Sequence, residues 1–310
     1  MNQEKYQKWL PALILFALAI TWGSSFILIK RGLEYFSAVE VGALRIVIAF
    51  LFFIPMAFHH FKFLKKKHFI YLAIVGVIGS TAPAFLFAFA ETGIDSALAG
   101  ILNSLTPLFT FLISFSIFKF KARWFNVVGL LLALSGAMGL IAVSGNGNIS
   151  FNFYYASFVI IATVCYAINV NVIKYKLPDL NNKTIVVYGF ILAGIPTTAY
   201  LFWFTPFINT MQTTQGAWTG LGYIAILGVV GTSLALTIFY YLIQVSNTVF
   251  ASSVTYLIPI VAVLWGVLDG ETFRVSYILW ITFILYGIYL VNTKKLLLSG
   301  KRARSSTKVK

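Results

Sequence analysis

The chain has 310 residues, of which 60% are hydrophobic and only 10% charged, where a soluble domain carries about 25% charged residues. A water-soluble fold of this length has too little interior to hide that much apolar side chain, so the solvent for most of it is lipid. The net charge of +15 does not argue for nucleic acid as a partner, because the basic residues sit in short connections between apolar runs, where membrane topology accounts for them.

A membrane span needs roughly 20 mostly apolar residues. Ten runs qualify, at about 10–30, 39–58, 69–90, 95–118, 124–143, 153–174, 184–204, 218–243, 248–268 and 276–293. They are too long and too continuously apolar for barrel strands. Backbone polar groups in hydrocarbon must be satisfied within the segment, so the runs are predicted to be helices. Lys5 and Lys8 ahead of the first run resemble the start of a signal peptide, but no small-residue cleavage site follows, and the run is expected to be retained. The lone cysteine, Cys165, excludes an internal disulfide and reads as a small packed residue.

With the N-terminus inside, the inner segments hold 19 of the 23 basic residues, the outer loops hold Lys30, Arg31 and Arg274, and Arg45 lies within the second span. That bias predicts cytoplasmic termini at both ends. The segment 294–310 is basic, rich in Ser and Thr and poor in apolar residues. It is expected to be a disordered cytoplasmic tail, able to rest on anionic lipid.

Residues 71–107 return without a gap at 223–259, a shift of 152, and ten of the thirty-seven positions match. Gly76 falls on Gly228, Gly79 on Gly231 and Pro107 on Pro259. Chance apolar matching would not hold two glycines and a proline in one register, so the chain contains an internal duplication. The uncharged stretch 144–152 divides the copies, and each holds five spans. Five is odd, so the second copy enters from the opposite side. The expected fold is an all-α membrane protein of ten transmembrane helices in two inverted five-helix repeats, 1–147 and 148–293.

Trp22-Gly23-Ser24-Ser25-Phe26 in the first span, Ala43-Leu44-Arg45 in the second, Leu105-Thr106-Pro107 in the fourth, and Leu257-Ile258-Pro259 with Gly270-Glu271 resemble the EamA-type branch of the drug/metabolite transporter superfamily. The resemblance implies an inner-membrane carrier or exporter of amino acids and other small metabolites. The chain departs from the pattern at Lys119-Phe120-Lys121, where the family often repeats Gly-Glu, and at Tyr166-Ala167, which answers Trp22-Gly23.

Ionisable groups inside a span are costly and rarely accidental. Arg45 reads either as a cavity cation that meets the carboxylate of a substrate or of Glu40, or as a structural cation bound to a neighbouring carbonyl. Glu91, at the outer end of the third span, reads as an interfacial residue ahead of a proton-coupling one. Pro107 and Pro259 free the carbonyls of Asn103 and Thr255, and with Asn103 and Tyr256 nearby they predict kinks that line a cavity. Pro83 is expected to act similarly, although its copy is Ala235. Spans one and six align at a shift of 144, which sets Trp22 on Tyr166 and Ser25 on Asn169. These four give aromatic walls with a few hydrogen-bonding groups. Asn169 and Asn171 have different azimuths, so at most one faces the cavity, and Tyr240 and Trp265 are further candidates. Gly129, Ala133 and Ala137, like Gly76, Ser80, Ala84 and Ala88, form small-residue ridges for close helix packing.

No G-x-S-x-G, H-E-x-x-H or G-x-x-x-x-G-K motif occurs. No catalytic residue, metal or cofactor is expected, and His59, His60 and His68 read as solvated loop histidines. The expected partners are a small-molecule substrate and the bilayer. A membrane-embedded enzyme or lipid-processing factor would need clustered reactive groups at one depth, and a passive channel would need a continuous polar stripe.

Overall fold

The apolar runs fold as helices and bury one another's faces. The computed structural model describes residues 3–60, 64–118, 124–143, 149–239 and 254–305. Their side chains are described from 13 to 290, apart from 58–60, 114–115, 117–118, 149–152 and 256. The helices are α1 (Gln3–Leu33), α2 (Ala38–His60), α3 (Lys66–Gly76), α4 (Ala82–Ala90), α5 (Ser96–Asn103), α6 (Thr106–Phe118), α7 (Trp124–Val143), α8 (Ile149–Lys176), α9 (Asn182–Phe204), α10 (Phe207–Thr213), α11 (Ala217–Ile226), α12 (Val254–Leu268) and α13 (Ser276–Ser305). No strand occurs among the described residues.

Among the described residues, eight helical segments are long and apolar enough to cross a membrane. The runs predicted at 248–268 and 276–293 give shorter apolar helices, Leu257–Leu268 and Ser276–Leu290. The backbone of α13 continues to Ser305. This helix takes in the first part of the basic segment 294–310, whose Lys, Arg and Leu residues are good helix formers.

Local signals set the helix starts. Ser37 and Glu40 close a capping box before α2: Ser37 N–H and Oγ–H donate to Glu40 Oε2 at 2.9 and 2.7 Å, and Glu40 N–H donates to Ser37 Oγ at 3.3 Å. Asn181 caps α9 by accepting from the Lys183 N–H at 2.7 Å. His68 does not lie in solvent. It is 1% exposed, its Nδ1 accepts from the Lys65 N–H at 3.1 Å, and its Nε2 lies 3.1 Å from Asp179 Oδ2. The same carboxylate takes Lys67 Nζ at 2.9 Å. Hydrogen bonds from Lys67 and then His68 lower the pKa of Asp179 to about 2.

The packing pairs helices across the two halves. α1 lies on α12 and α11, α8 on α4 and α6, α2 on α9, and α7 on α13. α2 and α9 are each 23 residues long and start and end 144 apart. Glycine permits the closest approaches. A Cβ on Gly76 would sit 2.1 Å from the Gly189 carbonyl oxygen, and one on Gly287 would sit 2.5 Å from the Gly129 oxygen. The Gly129–Ala133 ridge thus receives α13.

Candidate functional site

Two π-helical segments occupy matched places in the two halves, Val77–Thr81 between α3 and α4, and Leu227–Leu234 after α11. A π turn adds a residue to the helical ladder and releases carbonyls from the regular i→i−4 pattern. The released groups are satisfied in matched fashion. Thr81 Oγ1 donates to the Gly76 carbonyl at 3.1 Å, and Ser233 Oγ donates to the Gly228 carbonyl at 3.0 Å. Both residues of the second pair lie 152 beyond those of the first.

Each π segment faces the first helix of the other half. A Cβ on Gly79 would lie 2.3 Å from Asn169 Cγ on α8, and one on Gly231 would lie 3.0 Å from Ser25 Oγ on α1. The ring contacts repeat the pattern. Trp22 meets Phe239 edge-on with centroids 5.1 Å apart, while Tyr166 stacks on Phe87 at 6.2 Å. Trp22 and Tyr166 differ by 144, and Phe87 and Phe239 by 152, the two shifts that relate the halves. Trp22 Nε1–H also donates to the Gly231 carbonyl at 3.1 Å.

Of the predicted residues, Trp22 and Ser25 of α1 lie on the second π segment, Asn169 of α8 lies on the first, and Tyr166 of α8 stacks on Phe87 of α4. Arg45 joins them, its Nε–H donating to Thr232 Oγ1 at 3.0 Å. Thr232 in turn donates to the Leu227 carbonyl at 3.0 Å. Glu40 is not the partner of Arg45. Its capping box and Thr210 Oγ1, which donates to Oε1 at 2.8 Å, occupy that carboxylate. Arg45 is half-buried and forms no ion pair among the described residues. The shift of 144 puts Arg45 on Gly189, so the cation belongs to one half only.

Asn169 and Asn171 take different roles. Asn171 is buried and donates to the Ala167 carbonyl of its own helix at 2.8 Å. Asn169 Oδ1 is buried with no hydrogen-bond partner among the described residues. Trp265 is more exposed, at 41%, and its Nε1–H donates to Ser24 Oγ at 2.7 Å. Gly23 lets α1 approach α12 here, since a Cβ would lie 2.5 Å from Val261 Cβ.

The prolines act differently from one another. The helix breaks between Asn103 and Thr106, and Thr106 Oγ1 donates to the Asn103 carbonyl at 2.8 Å, which Pro107 cannot reach for lack of an N–H. Pro259 stays inside a continuous helix, α12. Pro83 sits just past the π segment, inside the continuous helical span Lys66–Ala90, where it supplies no N–H to the helical ladder. Tyr240 and the side chain of Tyr256 lie outside the described residues.

At one end of the bundle, charged side chains tie three helices together. Lys30 Nζ at the end of α1 lies 2.6 Å from Asp269 Oδ2 and 2.8 Å from Glu271 Oε1. Arg31 pairs with Asp269 and with Glu34. Glu271 Oε1 also accepts from the Ser96 N–H at 3.0 Å and Oγ–H at 2.7 Å, and Oε2 accepts from the Ala97 N–H at 3.1 Å. Glu271 therefore caps α5 while it holds α1. Burial pushes its pKa up, but Lys30, Ser96 and the Ala97 N–H outweigh that and keep it below the ordinary carboxylate range. Gly270, at φ +86, supplies the left-handed turn that returns the chain to this position.

Sequence reasoning underweighted two residues. Thr232 is an ordinary polar residue in an apolar run, and only its place on a π segment beside Arg45 marks it. Glu91 was assigned to the interface, yet it is 8% exposed and both carboxylate oxygens are buried without a partner among the described residues.

The profile of the EamA-like transporter family matches residues 9–142 and 153–293, and the chain belongs to that family. An uncharacterized transporter of Archaeoglobus fulgidus is 26% identical over 291 residues, covering 93% of this chain and all of the relative. The uncharacterized inner membrane transporter YedA of Escherichia coli is 26% identical over 304 residues, covering 93% and 92%. A probable terminal-alkyne amino-acid exporter of Streptantibioticus cattleyicolor is 22% identical, covering 98% of each chain. A solved crystal structure superposes with a TM-score of 0.62 at 15% identity, over 93% of this chain and 98% of its own, which shows a shared fold. The protein is a transporter of the EamA-like family with several helices long and apolar enough to cross a membrane.

Proposed function

We propose that the protein is a secondary carrier that moves amino acids or similar amphipathic metabolites outward by alternating access. Ten spans in two inverted repeats, 1–147 and 148–293, with both termini cytoplasmic, would give it two related end states. The observation that carries this reading is the crossed contact of each π segment with the other half, Gly79 on Asn169 and Gly231 on Ser25. A site made of matched parts from both halves can open to either side as one half rocks on the other. The amino-acid class is supported by the similarity to a probable terminal-alkyne amino-acid exporter. It also fits a half-buried guanidinium whose terminal nitrogens donate to no described residue.

Substrate would lie among Trp22, Ser25, Arg45, Tyr166 and Asn169, near the helix break at Asn103 and beside Trp265, with Tyr240 and Tyr256 as further lining. Counterflow in proteoliposomes tests the reading, because only a carrier trades labelled for unlabelled solute. Wild-type protein should exchange at least one member of a panel of the protein amino acids. Trp22→Ala should lose about tenfold or more of that rate, the loss expected when one positioning contact worth about 1.4 kcal/mol goes. Asn152→Ala should match wild type. Failure to exchange any amino acid would remove the proposed class.

A further inference from the structure

We propose that Glu91 is a proton-binding site that controls the end of the bundle held by Lys30, Asp269 and Glu271. This rests on the transporter reading but not on the substrate class. Glu91 lies just past the span Lys66–Ala90, in the turn that leads into α5. A carboxyl group at such a place ordinarily turns to water or to a donor. This one is nine-tenths buried, and neither oxygen has a partner among the described residues. An ionised carboxylate so placed would carry the full desolvation cost, so the group is neutral and carries a proton.

The charges around it come from several elements. Glu271 faces it from the turn after α12, Arg45 from α2 and Lys30 from α1, and none forms an ion pair with it. Tyr166 and Tyr155 of α8 lie against Phe87 and Gly93, and Tyr200 of α9 against Phe85, on the stretch of chain that carries Glu91. Burial raises the pKa of Glu91 well above the ordinary carboxylate range, Glu271 adds to the rise, and Arg45 and Lys30 offset only part of it. The shift of 152 puts Glu91 on Ile243, so the acid has no counterpart in the other half.

Loss of the proton has a direct consequence. It sets a second negative charge near Glu271 and offers Lys30 another partner. Both effects weaken the tie among α1, α5 and α12. The protonated form thus keeps this end closed, and the ionised form lets it open. A carrier that crosses one way with the proton and returns without it, loaded with solute, exchanges the two. No bond other than the carboxyl O–H is made or broken.

Two measurements on the full-length protein in detergent test this without a known substrate. The infrared C=O stretch of a neutral carboxylic acid should be present at pH 7 in wild type and absent in Glu91→Gln. The second uses Ile101→Cys in a Cys165→Ala background, because Ile101 is 1% exposed behind the Glu271 tie. Its labelling by a polar maleimide, corrected for thiolate fraction with a surface cysteine at Gln212, should rise with pH. The slope should approach about tenfold per pH unit below the midpoint, as for a switch held by one proton. In Glu91→Gln the labelling should stay at its low-pH value, and in Glu91→Asp the rise should persist with a shifted midpoint. An identical infrared band in wild type and Glu91→Gln would overturn the proton site. A pH profile unchanged by Glu91→Gln would overturn its control of this end. Should amino-acid counterflow fail while both results hold, the substrate class falls and the proton site stands.

Discussion

On the proposed reading, Arg45 would bind the carboxylate of the substrate. Its Nε–H is committed to Thr232, which is itself anchored to the Leu227 carbonyl, so the guanidinium is held in one orientation. The two terminal nitrogens remain able to bind a carboxylate through parallel hydrogen bonds, which the single ammonium of lysine cannot reproduce. Arg45→Lys should therefore weaken binding of a carboxylated substrate by about 1–3 kcal/mol, the range of a charged hydrogen bond, and affect its amide analogue much less. Competition against labelled substrate in proteoliposomes measures both. Equal loss for acid and amide, at normal protein level and thermal stability, would make Arg45 a strut.

At the scale of the element, the π segments explain why particular glycines recur. Gly79 has no room for a methyl group, since its Cβ would lie 2.3 Å from Asn169 Cγ, whereas Gly222 on α11 has nothing within 4 Å. Overpacking a tight site costs about 1–3 kcal/mol. An open helical glycine gains about 0.5–1 kcal/mol on becoming alanine. Gly79→Ala should therefore lower the melting temperature in detergent and impair transport, while Gly222→Ala should leave transport intact and hold or raise the melting temperature. Similar stability in the two variants would mean that α8 does not press on the π segment as described.

For the whole molecule, the distribution of basic residues predicts an orientation with both termini cytoplasmic. In a Cys165→Ala background, a cysteine replacing Lys66, an exposed residue at the start of α3, should be reached only by reagents that enter the cytoplasm. One replacing Gln212 on α10 should react from outside. Labelling of the Lys66 position from outside in sealed cells would reverse the topology. It would also move the Lys30–Asp269–Glu271 tie to the inner face.

The helical class, the apolar segments, the duplication and the transporter family were all legible in the sequence. They depend on quantities that add along the chain, such as hydropathy over about 20 residues, the count of positive charges between spans and a glycine–proline register. The correspondence of Trp22 with Tyr166 and of Ser25 with Asn169 was also legible, because the duplication itself carries it. Partners were not. Glu40 precedes Arg45 by only five residues in sequence yet is taken by Ser37 and Thr210, while Arg45 reaches Thr232, 187 residues away. His68 looked like a loop residue until Asp179 and Lys65 closed on it, and Glu91 looked interfacial until the fold buried it. A hydrogen bond or a desolvation cost depends on what lies within a few ångströms, and that is set by which helices pack together. Only the tertiary structure brings each π segment against the opposite half and leaves the buried Glu91 carboxyl without a donor among the described residues.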